Sequence, residues 1–305
     1  RETDLPAADH VMRLAFGTFL GLAEPLAFMG DADYVHTRWR ADPLAAFAAL
    51  SGDEIVGSNF ATNWGSVGFF GPLTIHPRLW EQGVGKLLVA AALDCFERWG
   101  TTQAGLYTFA DSAKHVALYR RFGFWPRFLT AIMSKPLMAA TPAVRYWLFS
   151  ALERSEREAA LVAGAELLDR IYAGLDVRRE ILSVATQALG DSVLLWDDAG
   201  LLGLAVCHIG AGSEAGSGSC YIKFAAVRPA AGAARGFERL LQACEALAIK
   251  RGATRLIAGV NSARIEACQI MLEQGFRTAR QGVAMHRDNH PGYNRAGVYL
   301  IDDWR

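Results

Sequence analysis

Residues 75–124 carry a pattern that returns later in the chain at one fixed offset. Pro77, Gly100, Gly123 and Phe124 reappear 152 positions on as Pro229, Gly252, Gly275 and Phe276. Four anchors that keep one spacing over about fifty residues point to a duplicated unit. A chain built this way must fold two similar cores and bring them together. The copies are unequal in chemistry: the first reads Gln82-Gly83-Val84-Gly85 where the second reads Ala234-Arg235-Gly236-Phe237.

The totals agree with two units. A chain of 305 residues, 52% of them hydrophobic, can bury two cores of about 150 residues each. Lys plus Arg and Asp plus Glu balance at 31 each, so no overall positive field gathers nucleic acid or an anionic membrane surface. Neither is expected as a partner. Cys95, Cys207, Cys220, Cys244 and Cys268 are odd in number and form no Cys-x-x-Cys pair. A disulfide framework and a structural zinc are therefore poorly supported, no metal is expected, and a reducing cytoplasm is favoured. No apolar run approaches the roughly 20 residues that cross a bilayer. The chain begins at Arg1 rather than at a methionine, which implies an upstream segment and leaves targeting signals open.

Along the first half, Val11, Leu14, Ala15, Thr18, Phe19 and Leu22 are spaced for an amphipathic helix over 7–22, stopped before Pro25. A polar loop over 29–42 leads to an antiparallel meander of strands at 44–50, 54–62 and 67–75. A helix over 83–99 ends at Gly100, a strand follows at 104–109, and a second helix over 112–122 ends at Gly123. Residues 124–133 read as a final strand or pair of strands. Two prolines and no periodicity at 135–142 set a boundary there, dividing the chain into units 1–138 and 141–305. The second unit repeats the order: helices at 155–172 and 178–189, strands at 193–196, 201–209 and 221–227, a helix at 235–251, a strand at 255–260 and a helix at 265–274. The Gly/Ser-rich insert at 210–219 reads as a flexible hairpin loop. The expected fold class is α+β, with two tandem units, each a mixed, mostly antiparallel sheet flanked by helices.

The turn at 82–86 gathers unpaired backbone N–H groups at the positive end of a helix dipole, and Gly83 and Gly85 leave no side chain to hold a phosphate away. By itself a Gln-Gly-Val-Gly turn also serves as a plain tight connection. The preceding strand contains Gly71-Pro72, the mark of a bulge or a broken ladder. A broken ladder at Leu73, Thr74 and Ile75 leaves a gap in which an extended, amide-bearing ligand lies as a false strand, its diphosphate on Gln82, Gly83, Val84, Gly85 and Lys86. Coenzyme A has that form.

The stretch from Ile75 through His76, Pro77 and Gln82 to Gly85 resembles motif A of the GNAT superfamily of acyl-CoA-dependent N-acetyltransferases. The run Leu118-Tyr119-Arg120-Arg121-Phe122-Gly123-Phe124 is similar to its motif B, at the usual separation. Trp80 departs from the pattern, standing where the superfamily usually has Arg or Gln. The resemblance implies acetyl-CoA as acyl donor, and a primary amine of a small molecule or a protein as acceptor. It implies that Tyr119 protonates the departing thiolate, and it puts His115 and Ser112 against the coenzyme, Ser112 standing where an asparagine is common. A phenol with a pKa near 10 keeps its proton at neutral pH, which suits that task. The base is not identified by the sequence. Glu24, Asp31, Asp33 and His36 lie where the superfamily roofs its acceptor pocket, Asn59, Asn63 and Trp64 where a meander floors it, and Arg38, Trp39 and Arg40 suit an anionic acceptor or a solvated loop.

In the second copy Arg235, Phe237 and Met271 replace Gly83, Gly85 and Tyr119. Arg235 and Phe237 would crowd a diphosphate, so this half is expected to be structural or to shape the acceptor site, in a monomer that mimics a dimer or in a homodimer. Tandem GNAT proteins resemble the plan. The competing readings are a non-catalytic acyl-CoA sensor or interaction module, and an aminoacyl or fatty acyl transferase.

Overall fold

The computed structural model describes residues 1–138 and 143–305; of the boundary expected at 135–142, residues 135 and 136 belong to a strand and 139–142 lie outside the described residues. The first half runs α1 (Leu5–Phe19), α2 (Val35–Ala41), β1 (Ala46–Ser51), β2 (Glu54–Trp64), β3 (Val67–Phe70), β4 (Thr74–Ile75), α3 (Val84–Trp99), β5 (Gln103–Thr108), α4 (Ala113–Arg120) and β6 (Phe124–Pro136). The second runs β7 (Trp147–Leu148), α5 (Arg154–Asp169), α6 (Arg178–Thr186), β8 (Gly190–Asp197), β9 (Gly200–Gly210), β10 (Gly216–Val227), α7 (Ala233–Lys250), β11 (Arg255–Asn261), α8 (Ile265–Glu273), β12 (Arg277–Arg287) and β13 (Leu300–Ile301). The tandem α+β reading holds. Among the described residues no helix is long and apolar enough to cross a membrane.

One mixed sheet runs through both halves, in the order β1-β2-β3-β5-β12-β6-β11-β10-β9-β8-β7. The final strands of the two halves have changed places. β12 lies antiparallel to β5 of the first half, with Val283 opposite Thr108. In return β6 lies antiparallel to β11, with Ala131 opposite Val260. These two pairs are the same pair displaced by the repeat offset. β6 and β12 then join each other, Leu129 to Val283, Thr130 to Gly282 and Ala131 to Gln281. Thr130 therefore meets its own repeat counterpart, and a pseudo-twofold axis passes through that pair, as in an isologous interface.

Three details of the sequence reading change. The polar stretch 29–42 contains α2, whose first turn is held by the Asp33 carboxylate accepting from the His36 N–H at 2.9 Å. Polar residues with one buried edge, here Val35, Thr37 and Arg38, hide a short helix from a composition argument. The insert 210–219 is docked rather than free. Asp31 accepts from the Ser217 N–H at 2.8 Å, Asp33 N–H donates to the Ser213 carbonyl at 2.9 Å, and residues from Gly216 onward belong to β10. α7 begins at Ala233, earlier than its counterpart, with Gly232 as its N-cap. Gly232 has φ 86°, the same as Gly83 before α3. By conformation the partner of Gly83 is therefore Gly232. Phe237 is fully buried in the core of the second half rather than crowding the turn, and Arg235 is solvent-exposed in the helix's first turn.

Candidate functional site: an open slot, a glycine turn and a walled cavity

β3 pairs in parallel with β5 from Val67–Gln103 to Phe70–Leu106 and then leaves it. After Gly71-Pro72 the chain resumes as β4 on the other side, against β2. His76 N–H donates to the Val56 carbonyl at 2.8 Å, so by strand alternation the neighbouring Ile75 N–H faces away from β2, into the gap. A cavity of about 850 Å³ opens there, lined by Leu73, Thr74 and Ile75 on one wall and His115, Leu118 and Tyr119 of α4 on the other.

The second half contains the same gap, and its own chain fills it. β10 pairs with β11 from Ser219–Arg255 to Ile222–Ala258, the repeat of the β3–β5 contact, and then β13 takes the vacated edge opposite Ala225 and Ala226. Val227, the counterpart of Ile75, donates its N–H to the Tyr299 carbonyl at 3.2 Å. Arg264, 1% exposed, fixes this segment by donating to the Leu300 carbonyl at 2.9 Å and pairing with Asp302. An extended amide chain thus sits in the second slot as a short strand; the first slot is the same cradle left open.

At its outer end the open slot meets the glycine turn. A Cβ at Gly83 would touch nothing within 4 Å, whereas one at Gly85 would come within 3.0 Å of Ile75 Cδ1 and 3.4 Å of Leu118 Cδ2. Gly83, Gly85, Lys86, Glu81 and Trp80 line the cavity, and no backbone acceptor engages the N–H groups of Gly83, Val84 or Gly85. This cradle fits a diphosphate at a helix N-terminus. Trp80 is tied down by its Nε1–H donating to the Ile75 carbonyl at 2.8 Å, and Lys114 Nζ lies 4.4 Å from its ring centroid. Gln82 turns its amide to the Arg78 carbonyl at 3.0 Å. Gln82, Val84 and Ser112 do not line the cavity, Ser112 being buried at the N-cap of α4.

Tyr119 is 7% exposed and its ring rests on Phe70 with centroids 5.8 Å apart. Burial pushes its phenol above the usual range, so the group stays protonated across neutral pH. His115, one turn earlier, is pushed down to about 4 by burial and then by Lys114. Its Nδ1 is buried without a partner. A neutral imidazole is what the cavity holds at neutral pH.

The candidate base and acceptor residues fare differently. Glu24, Asp31, Asp33 and His36 do not line the cavity. Asn59 is fully buried, donating to the Leu88 carbonyl at 3.0 Å, Asn63 caps the turn at Gly65, and Trp64 is a core residue whose Nε1–H donates to Glu180 at 3.3 Å. Arg38 is 5% exposed and paired with both carboxylate oxygens of Glu214, at 2.9 and 3.1 Å. It also donates to the Gly71 carbonyl at the strand break, at 2.5 Å. Its charge is consumed between the halves, where Lys223 bridges Glu214 and Glu180, each at 2.8 Å.

The rest of the cavity is walled by residues to which the sequence reading gave no role at a site. Phe16 and Phe19 of α1, Phe28, Tyr34, Tyr107 and Phe109 line it, and so do Arg255, Arg280, Trp304 and Arg305 of the second half. Phe16 and Phe19 lie on a helix face that periodicity assigns to packing. Trp304 carries no local signal at all: it is placed by Gly105, where a Cβ would fall 2.1 Å from its ring, and by a stack on Phe69 at 6.1 Å. Among the described residues no cluster of three or more His, Cys, Asp or Glu side chains is placed to hold a metal.

Residues 17–124 match the family model of the acetyltransferase (GNAT) family. No curated protein matches the chain in sequence. Among solved structures, a Pyrococcus horikoshii protein assigned as an acetyltransferase superimposes with a TM-score of 0.67 at 12% identity, covering 99% of this chain and 92% of its own. An N-acetyltransferase of Sphaerobacter thermophilus gives 0.59 at 16% identity, covering 95% and 94%. A tandem GNAT protein from the clavulanic acid biosynthesis pathway gives 0.56 at 14%, covering 95% and 96%. At such identities the likeness is one of fold. Residues 17–124 thus match the GNAT acetyltransferase family, and the whole chain shares its fold with these three structures.

Proposed function

We propose that the chain is an acetyl-CoA-dependent N-acetyltransferase with one active site, in the first half, acting on a primary amine of a small molecule or a protein. The observation that carries the reading is the open slot beside the Gly83–Gly85 turn, set against a second slot already filled by the chain itself. The thioester of the bound coenzyme supplies the acetyl group, which the amine nitrogen takes as the carbon–sulfur bond breaks. Ile75 offers an outward N–H to the coenzyme's amides, the N–H groups of Gly83, Val84 and Gly85 receive the diphosphate, and Lys86 adds charge. Tyr119 keeps its proton at Oη, gives it to the departing sulfur and regains one from the nitrogen that has taken the acetyl group. The second half walls the acceptor side and binds no coenzyme of its own, because β13 stands where pantetheine would lie.

Titration calorimetry with acetyl-CoA tests the assignment: one site per chain is expected, and two equivalent sites would refute it. Among cavity-lining residues the sole carboxylate is Glu81, at the phosphate turn, and that feature favours an acyl-CoA sensor as the second reading. Slow coenzyme hydrolysis with no acceptor turnover across a broad amine panel would select the sensor.

A further inference from the structure

We infer that the acceptor carries an oxyanion, a carboxylate foremost, on an apolar or aromatic body, and that Arg280 of β12 receives it. The inference rests on the N-acetyltransferase reading for the word acceptor, but the subsite stands on its own geometry.

Lys114 and Arg280 both line the cavity and rest on different aromatic rings. Lys114 lies over Trp80 at 4.4 Å and over Phe19 at 5.7 Å, on the side of the glycine turn, where the coenzyme's phosphates account for it. Phe19 packs on Phe109 with centroids 4.9 Å apart. Beyond Phe109 stands Arg280, its guanidinium 6.0 Å from that ring. Arg280 and Lys114 thus rest on different rings of that pair, Arg280 on Phe109 and Lys114 on Phe19.

Arg280 is solvent-exposed, and no group of the protein is paired with it among the described residues. Arg280 makes no ion pair among the described residues; all sixteen recorded pairs go to other side chains, including the neighbouring Arg305 with Asp303 at 3.3 Å. Its direction is set by the backbone. The β12–β6 register slips between Thr278 and Arg280, so that Ala279 is an extra residue and Arg280 is re-aimed at the cavity. The pseudosymmetric slip on β6 brings Phe128 to the matching place. One side of the pseudodimer therefore carries a ring, and the side facing the open slot carries a planar fork of donors suited to bidentate recognition of an oxyanion. The walls around it, Phe16, Phe28 and Phe109, suit an apolar body.

Matched amines test the subsite: 4-(aminomethyl)benzoate, its carboxamide and its phosphonate, titrated by calorimetry into the full-length protein saturated with desulfo-CoA. The carboxylate should bind at least tenfold more tightly than the carboxamide. R280Q should bring the two within twofold while leaving desulfo-CoA affinity unchanged, and R280K should restore part of the preference. A phosphonate that outbinds the carboxylate would identify the oxyanion as a phosphate and would still support the subsite. Equal binding of carboxylate and carboxamide by the wild type, or an undiminished preference in R280Q, would overturn the inference. Anion-dependent binding without acetyl transfer from acetyl-CoA would uphold the subsite and sink the N-acetyltransferase reading instead.

Discussion

Replacing Arg38 with methionine should loosen the join between the halves and the open slot together. The side chain is 4% exposed and holds Glu214, itself 0% exposed. Removing one partner of a buried ion pair costs about 3–5 kcal/mol. Glu214 keeps Lys223 at 2.8 Å, which argues for the lower end, about 3 kcal/mol, and the Gly71 carbonyl loses a charged donor worth about 1.5 kcal/mol more. A loss of about 4.5 kcal/mol is a large share of a stability of about 5–15 kcal/mol. Arg38→Met with Glu214→Leu removes the uncompensated charge as well as the pair, so the double variant should be more stable than the sum of the singles predicts by about 2 kcal/mol. Urea unfolding of the four proteins at pH 7 measures this. The acid limb gives a second reading. Burial raises the Glu180 carboxyl, but Lys223 and His208 overcome it and hold it at about 2, and Arg38 with Lys223 likewise holds Glu214 well below the carboxylate range. These groups contribute stability that is complete above the ordinary carboxylate value of 4.5 and is lost as the pH falls towards 2. Arg38→Met should flatten that slope. Single variants that each cost less than about 1 kcal/mol, or strictly additive losses, would refute the reasoning.

Tyr119→Phe keeps the ring on Phe70 and removes the proton, so kcat should fall about 100-fold with coenzyme affinity unchanged; a wild-type rate would leave Tyr119 a packing residue. Gly85→Val places methyls between Ile75 and Leu118, and calorimetry should find coenzyme binding lost while circular dichroism stays native. His115 has a folded value of about 4 against 6.5 unfolded, so it penalises folding progressively as the pH drops from about 6.5 to 4; His115→Phe should remove that part of the acid destabilisation in thermal melts taken across the window. A fragment ending at residue 138 lacks β12 beside β5 and Trp304 on Phe69. It should be aggregated or oligomeric by light scattering, and a monomeric, fully active fragment would show the second half to be dispensable.

The sequence made the open slot and the glycine turn legible because their signals are local. A glycine turn, a strand break at Gly71-Pro72 and a tyrosine one turn before a helix stop all lie within about fifty residues, and each states a backbone requirement that few other residues satisfy. The elements came out nearly whole for the same reason, since helix period and strand alternation are short-range. What stayed hidden is non-local. Arg280 and Trp304 reach the cavity only because β12 crosses into the first half and because Gly105 leaves room for an indole. Arg38 reads as a loop cation until Glu214, 176 positions away, is seen to neutralise it. The Arg235 and Phe237 substitutions misled through alignment. A shortened loop moved the cap to Gly232, so Phe237 packs into the core and only Arg235 stays in the helix's first turn, and the second slot is closed by β13, which no motif announces.

The exchange of β6 and β12 also sets a schedule for synthesis. Val283 pairs with Thr108 about 175 residues upstream, a contact that must wait for nearly the whole chain. At about 5–20 residues per second, roughly 10–35 s separate the appearance of the two partners. Through that interval the emerging first half holds the edge of β5 uncovered and β6 without its mate, while the glycine turn and Tyr119 are already made. The candidate site is thus translated early and assembled last, and a nascent chain stalled before residue 277 would hold the glycine turn and Tyr119 without the sheet that supports them.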